Sequence, residues 1–263
     1  MGTSEVGPRV VAPSGRKPDG GVLKGSYVDL EHVEADRHGS DLWNSFQTGD
    51  PEGRIWTYMG YGPFPDKAGF LAWLKERQAS VDPLFYAFVP HKTGEASGMA
   101  SFMRMTPEHG VIEIGHIWFA PAFQNTREAT EGLYLMMRHA LATLGSRRLE
   151  WKCDALNQPS RRAAERLGFT FEGVFRQHMI IKGRNRDTAW FAIIDKDWPA
   201  IDQAFQDWLA QDNFDHAGDQ RQALRAAEAG GITRALPPAP VDESPCPSIP
   251  IPCAGSPSLP ESG

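Results

Sequence analysis

Long apolar runs are missing from this 263-residue chain. No stretch approaches the roughly 18–20 consecutive apolar residues that a membrane-spanning helix needs. Pro8, Pro13 and Pro18 interrupt the N-terminal segment where a secretory signal would carry an apolar centre. Cysteine is scarce, with three in all, and Cys246 and Cys253 sit in a proline-rich end without the partners of a four-ligand metal site. That usage excludes a disulfide framework and leads us to expect a reducing, cytoplasmic setting. Positive charge is not in excess: the formal net charge is −6 and the pI about 5.8. Non-specific binding to nucleic acid or to an anionic membrane is therefore not expected as the main task. No phosphate-binding Gly-Lys-Ser loop, Ser-His-Asp constellation or metal-ligand cluster stands out.

What is present suits a globular protein, with 41% hydrophobic and 23% charged residues, enough to build a core without disulfides or metals. Three regions are expected. Residues 1–23 read as a flexible segment, 24–210 as one domain, and 211–263 as a polar helical extension around 220–229 followed by a proline-rich, extended tail. Within the domain, strand 27–30 and helix 37–46 come first. A helix over 67–79 then follows Asp66, with Phe70, Leu71, Trp73 and Leu74 as its apolar face. Strands 84–89, 96–105 and 111–119 come next, separated by turn chemistry, as an antiparallel meander. Helix 128–144, strand 148–152, helix 159–167, strands 171–181 and 188–194, and helix 201–209 complete the order. The fold class is α/β (α+β), a mixed, mostly antiparallel sheet flanked by helices.

Two places invite a ligand. The segment 157–169 breaks a strand at Asn157 and starts a helix with Pro159, whose missing N–H costs nothing there. Ala163, Ala164 and Leu167 form its stripe and Gly168 its stop. The segment 120–130 runs from a strand into a helix start, where free N–H groups and the helix dipole suit a pyrophosphate. Asn125 with Glu128 also fits a plain capping box. On strand 111–119, alternation puts Ile112, Ile114 and His116 on one face and Glu113, Gly115 and Ile117 on the other. Gly115 marks a place for a bulge that would alter this. His116 has an ordinary pKa suited to proton transfer, and a half-buried structural histidine is its plainer reading. A solvated face or structural ion pair is the plainer reading for Glu113. The aromatic cluster Trp56, Tyr58, Tyr61 and Phe64 reads as core or as one wall of an acceptor pocket. The charged hairpin with Arg176, Gln177, His178, Lys182, Arg184 and Arg186 near Asp187 reads as a solvated edge or as a shaper of that pocket.

The stretch 147–169, with the 124–130 loop, resembles the acetyl-CoA-binding region of the GNAT acetyltransferases, in the RimJ/RimL-like branch. The likeness covers most of 24–198. It implies a sheet that splays between strands 111–119 and 148–152, with the acyl-CoA arm lying in the opening along Ile117, Trp118 and Phe119. It implies a pyrophosphate held by Gln124, Thr126, Arg127, Glu128, Ala129 and Thr130. Arg127 stands where the family pattern has glycine. Asn157, Ser160 and Arg161 would also contact the coenzyme. The resemblance assigns the amine's proton to Glu113, with His116 as a second candidate base and Ser160 beside the departing sulfur. Ala164 stands near where many members carry a tyrosine. The implied activity is an acetyl-CoA-dependent N-acetyltransferase acting on a protein N-terminus or a small amine, without a metal, as a monomer or homodimer. Two alternatives are a non-catalytic acyl-CoA-binding module and a transferase using a longer donor such as succinyl-CoA.

Overall fold

A computed structural model of the chain describes residues 7, 9–10, 15–216 and 218–229. The proline-rich tail and about half of the expected N-terminal segment lie outside the described residues. From 15 to 22 the chain runs against the domain, where Arg16 N–H donates to the Leu144 carbonyl at 3.0 Å.

The first strands are β1 (Leu23–Lys24) and β2 (Val28–His32). In α1 (Ala35–Gln47), Ala35, His38, Gly39, Leu42 and Phe46 recur on one stripe and are buried. The helix α2 (Lys67–Gln78) starts where Asp66 accepts the Gly69 N–H at 2.8 Å. Next come β3 (Leu84–Pro90), β4 (Gly98–Thr106) and β5 (Val111–Phe119). The helix expected over 128–144 is α3 (Arg127–Arg138) continued by a π-helical turn, His139–Thr143. After it come β6 (Arg148–Asp154), α4 (Gln158–Arg166), β7 (Thr170–Ile181), β8 (Arg184–Ile194) and α5 (Trp198–Leu209). The residues expected as a loop over 183–186 are mostly strand. The turn is Lys182-Gly183 alone, both with positive φ, the two-residue geometry that matches strand twist. The expected helical extension shrinks to α6 (Ala226–Ala229), whose Ala226 is buried beside α4 and α5.

The sheet has eight strands in the order β1-β2-β3-β4-β5-β6-β8-β7. Every pairing is antiparallel except β5 with β6. A parallel pair needs a crossover, and α3 supplies it. Helices cover both faces, so all seven residues of β3 are buried. One core cluster joins the sheet to α3 and α5 through Tyr86, Phe102, Ile114, Leu133, Met136 and Phe205. The other joins it to α1 and α2 through Leu42, Phe46, Phe70, Leu74, Phe85 and Trp118.

Candidate active site

The parallel pair is short. Only Val111, Ile112 and Glu113 face Arg148, Leu149 and Glu150; beyond them β5 stays with β4 to Phe119 while β6 stays with β8 to Asp154. The two strands diverge, leaving the β6-side edge of β5 unpaired from Ile114 onward. One of its groups is already satisfied. The Ala120 N–H turns to Ser97 on the β4 side, so the Phe119 carbonyl of the same peptide turns to the cleft. There it accepts the Gln124 side-chain amide at 3.0 Å.

A bulge reshapes the middle of β5. Met99 faces Trp118 and Ser101 faces Gly115, so Ala100 alone stands opposite both His116 and Ile117. His116 takes a left-handed φ of 52°. The expected alternation is therefore corrected beyond Gly115. His116 leaves the Ile112–Ile114 face and packs against the rings of Phe85 (5.2 Å) and Tyr61 (5.7 Å), whereas Ile117 packs into the α3-side core. The side chains of Trp118 and Phe119 belong to the two cores, so only their backbone is available to a ligand.

A cavity of about 350 Å³ opens at the splay, and Glu113, His116, Trp151, Asn157 and Ser160 contribute to its wall. Glu113 is 4% exposed. Its Oε2 lies 2.9 Å from Lys152 Nζ and 3.4 Å from Arg104 Nε. Lys152 also pairs with Glu150 at 2.7 Å and stands over the Trp190 ring at 3.8 Å. Burial raises the Glu113 pKa above the ordinary carboxylate value, more than Lys152 and Arg104 lower it. His116 moves the other way: burial, helped by Arg77 and Arg186, pushes it down to about 4, so it is neutral near pH 7. Neither Lys152 nor Arg104 was singled out from the sequence. Their partnership with Glu113 exists only because β4, β5 and β6 are neighbours, and linear spacing carries no sign of it.

At the head of α4, Asn157 Oδ1 accepts the Ser160 N–H at 3.2 Å, and Ser160 Oγ accepts the Trp151 indole N–H at 3.0 Å. Ser160 also sits beside Cys153, whose thiol burial pushes up to about 11. Arg161, expected to face coenzyme phosphates, is corrected. Its side chain is 1% exposed, donates to the Ala155 carbonyl at 3.1 Å and lies over Phe171 at 5.7 Å. It falls on the packed face of α4.

At the head of α3 the cap is one residue later than the expected Asn125. Thr126 Oγ1 accepts the Ala129 N–H at 3.1 Å and donates to the Phe123 carbonyl at 2.8 Å, while Asn125 takes φ 60° in the preceding turn. The first-turn N–H groups of Arg127 and Glu128 have no intrahelical acceptor. The Arg127 side chain, where the family pattern has glycine, is held between the rings of Tyr27 (3.6 Å) and Phe214 (4.6 Å). Thr130 is buried and bonds back to the Thr126 carbonyl at 3.0 Å, and Glu128 lies 3.9 Å from Arg127. Among the described residues, no group of His, Cys, Asp and Glu is placed to hold a metal, and no helix is long and apolar enough to cross a membrane.

A mixed sheet split at its single parallel pair, with a helix start at the mouth of the split, defines an acyltransferase architecture. The comparisons agree. Residues 34–170 match the model of the acetyltransferase (GNAT) domain. A GCN5-related N-acetyltransferase from Brucella melitensis superposes with a TM-score of 0.79 at 44% identity, covering 83% of this chain and 98% of that one. A candidate GNAT acetyltransferase from Chromobacterium violaceum gives 0.68 at 38% identity, covering 75% and 100%. YdaF of Bacillus subtilis (strain 168), a candidate ribosomal N-acetyltransferase, is 26% identical over 105 residues, which span 40% of this chain and 57% of YdaF. The chain belongs to the GNAT acetyltransferase family.

Proposed function

We propose that the protein is an acetyl-CoA-dependent N-acetyltransferase that passes the acetyl group directly to a primary amine. The observation that carries this reading is the end of β5–β6 pairing at Glu113 and Glu150, which leaves an unpaired strand edge beside a cavity of ligand size. An amide-bearing pantetheine arm hydrogen-bonds as a peptide strand does and fits that edge. The N–H groups at the start of α3, on the positive end of the helix dipole, receive the pyrophosphate.

The neutral amine attacks the thioester carbonyl. A C–N bond forms, the C–S bond breaks, and coenzyme A leaves as a thiolate. Glu113 takes the amine proton, directly or through water, because its raised pKa makes it a better base than an exposed carboxylate. Lys152 and Arg104 keep its charge compensated between turnovers. A β5 N–H at the bulge, near Ile117 or Trp118, meets the developing oxyanion. Ser160, whose oxygen accepts from Trp151 and whose side chain also hydrogen-bonds Cys153, would turn its O–H from Cys153 to the departing sulfur. The name of YdaF points to ribosomal proteins as one acceptor class to include.

The test is thiol release from acetyl-CoA across a broad panel of amines, with calorimetry of acetyl-CoA binding alongside. Turnover supports the transferase. Tight binding with no transfer to any amine would make the chain a binding module instead.

A further inference from the structure

The hairpin of β7 and β8 closes over the cavity from the side opposite α3. Lys182 Nζ donates to the Trp56 carbonyl at 2.9 Å, and Tyr58 Oη donates to the Leu156 carbonyl at 3.3 Å. The hairpin turn and the 54–64 loop thus roof the wall that includes Tyr58, Met59 and Gly60.

Most charges along the wall are paired. Among the described residues, Asp154 lines the cavity with no cation at ion-pair distance, its Oδ1 accepting the Leu156 N–H at 2.9 Å, and among the lining cations one has no carboxylate partner. Lys152 is shared by Glu113 and Glu150, Arg104 lies on Glu113, and Arg148 joins Glu150 to Glu172. Arg186 also lines the cavity. Among the described residues no carboxylate lies within ion-pair distance of it, and its Nε is buried with no hydrogen-bond partner. Asp187, next along β8, is already used: its Oδ1 accepts from the Gln177 N–H at 2.7 Å and from Asn185 Nδ2 at 2.9 Å. A buried Nε without a partner calls for an explanation, and at Arg186 it lies beside a ligand-sized cavity. Its field reaches the cavity interior. After burial, Arg186 is among the cations that hold His116 and His178 below the ordinary imidazole pKa. Both rings are then neutral near pH 7, and Arg186 remains as the uncompensated positive group facing the acceptor.

We propose that the acceptor carries a carboxylate close to its amino group and that Arg186 receives this carboxylate, so that the amine is presented toward Glu113. The planar fork of arginine suits two-point recognition of a carboxylate. Two sources share this chemistry: the α-carboxylate of a free amino acid, and an Asp or Glu side chain near a peptide N-terminus. The inference rests on the transferase reading above.

The experiment measures thiol release from acetyl-CoA with matched acceptor pairs. One arm compares amino acids with their amides; the other compares peptide amides beginning Ala-Asp with those beginning Ala-Asn. The carboxylate member of at least one arm is expected to have the higher kcat/KM by about 10- to 100-fold, the range for a hydrogen bond to a charged group. R186Q should bring that ratio close to one, mainly through KM, and R186K should restore part of it. The arm that shows the preference identifies the source. Equal or better use of neutral and cationic amines, or a preference untouched by R186Q, overturns the inference while leaving the transferase intact. Absence of transfer to every amine overturns the transferase reading, and this inference with it.

Discussion

Glu113 sits where two demands on one carboxylate conflict. Burial favours its neutral form, yet Lys152 at 2.9 Å and Arg104 at 3.4 Å need its charge. Because its folded pKa lies above the ordinary value, the charged form that the proposed base needs is lost as pH falls through that raised pKa. The acid limb of kcat/KM against pH is therefore expected above the ordinary carboxylate range. E113Q should lower kcat by about 10²–10⁴-fold, the usual contribution of a positioned base, with acetyl-CoA affinity by calorimetry little changed. An unaltered kcat would remove Glu113 from the chemistry. His116 yields a stability prediction instead. Its pKa falls from 6.5 to about 4 on folding, so between those values the unfolded chain binds the extra proton. His116's contribution is fully present above pH 6.5 and disappears as pH drops toward 4, by at most about 3 kcal/mol. In denaturant titrations, H116N should lose less stability than the parent between pH 7 and pH 4, and Asn tolerates the left-handed backbone at that site. Identical losses in the two proteins would reject this account. Sequence reading found both residues, since side-chain type already advertises proton chemistry. It did not find the ion partners of Glu113, which come from other strands.

Elements were legible where a local pattern sets them and obscure where tertiary contact does. β5 begins and ends at the expected residues because its apolar run is bounded by Gly110 and Ala120-Pro121. The bulge within it was only hinted at by Gly115, and it reverses which face His116 and Ile117 occupy. At α3, Asn125 and Thr126 are both good caps by type, and the chain uses the second, placing Asn125 in the left-handed turn that Asn tolerates. Arg161, expected at the coenzyme, lies on the packed face of α4 that it shares with Ala164. The Asn157 cap is the device that fixes where α4 starts relative to the cleft. N157A removes the acceptor of the Ser160 N–H at 3.2 Å and should cost about 1 kcal/mol in denaturant unfolding. Because Ser160 is then less well held, kcat should fall as well. A drop in stability with kcat intact would confine Asn157 to capping.

At the scale of the whole molecule, the sheet is two parts joined at a narrow seam. β1 to β5 form one run of pairings and β6, β8 and β7 another, and three residue pairs of β5 with β6 connect them. The α3 crossover and the core between α3, α5 and the sheet hold the parts in place from one side. A ligand whose arm lies along the free edge of β5 and whose phosphates meet the start of α3 would bridge this seam. Binding only to the folded state stabilises it by about 2.7 kcal/mol at a hundredfold excess over Kd, which corresponds to a rise of roughly 5–10 °C in Tm for a domain of this size. Hydrogen exchange should show where that stabilisation is felt. Protection on adding acetyl-CoA is expected at backbone amides of 114–119 and 126–129, which border the cleft, and not along β3, which lies between two paired strands. Slowing that is spread evenly over the sheet, or confined to the β7–β8 hairpin, would place the cofactor elsewhere and separate the fold from the chemistry proposed for it.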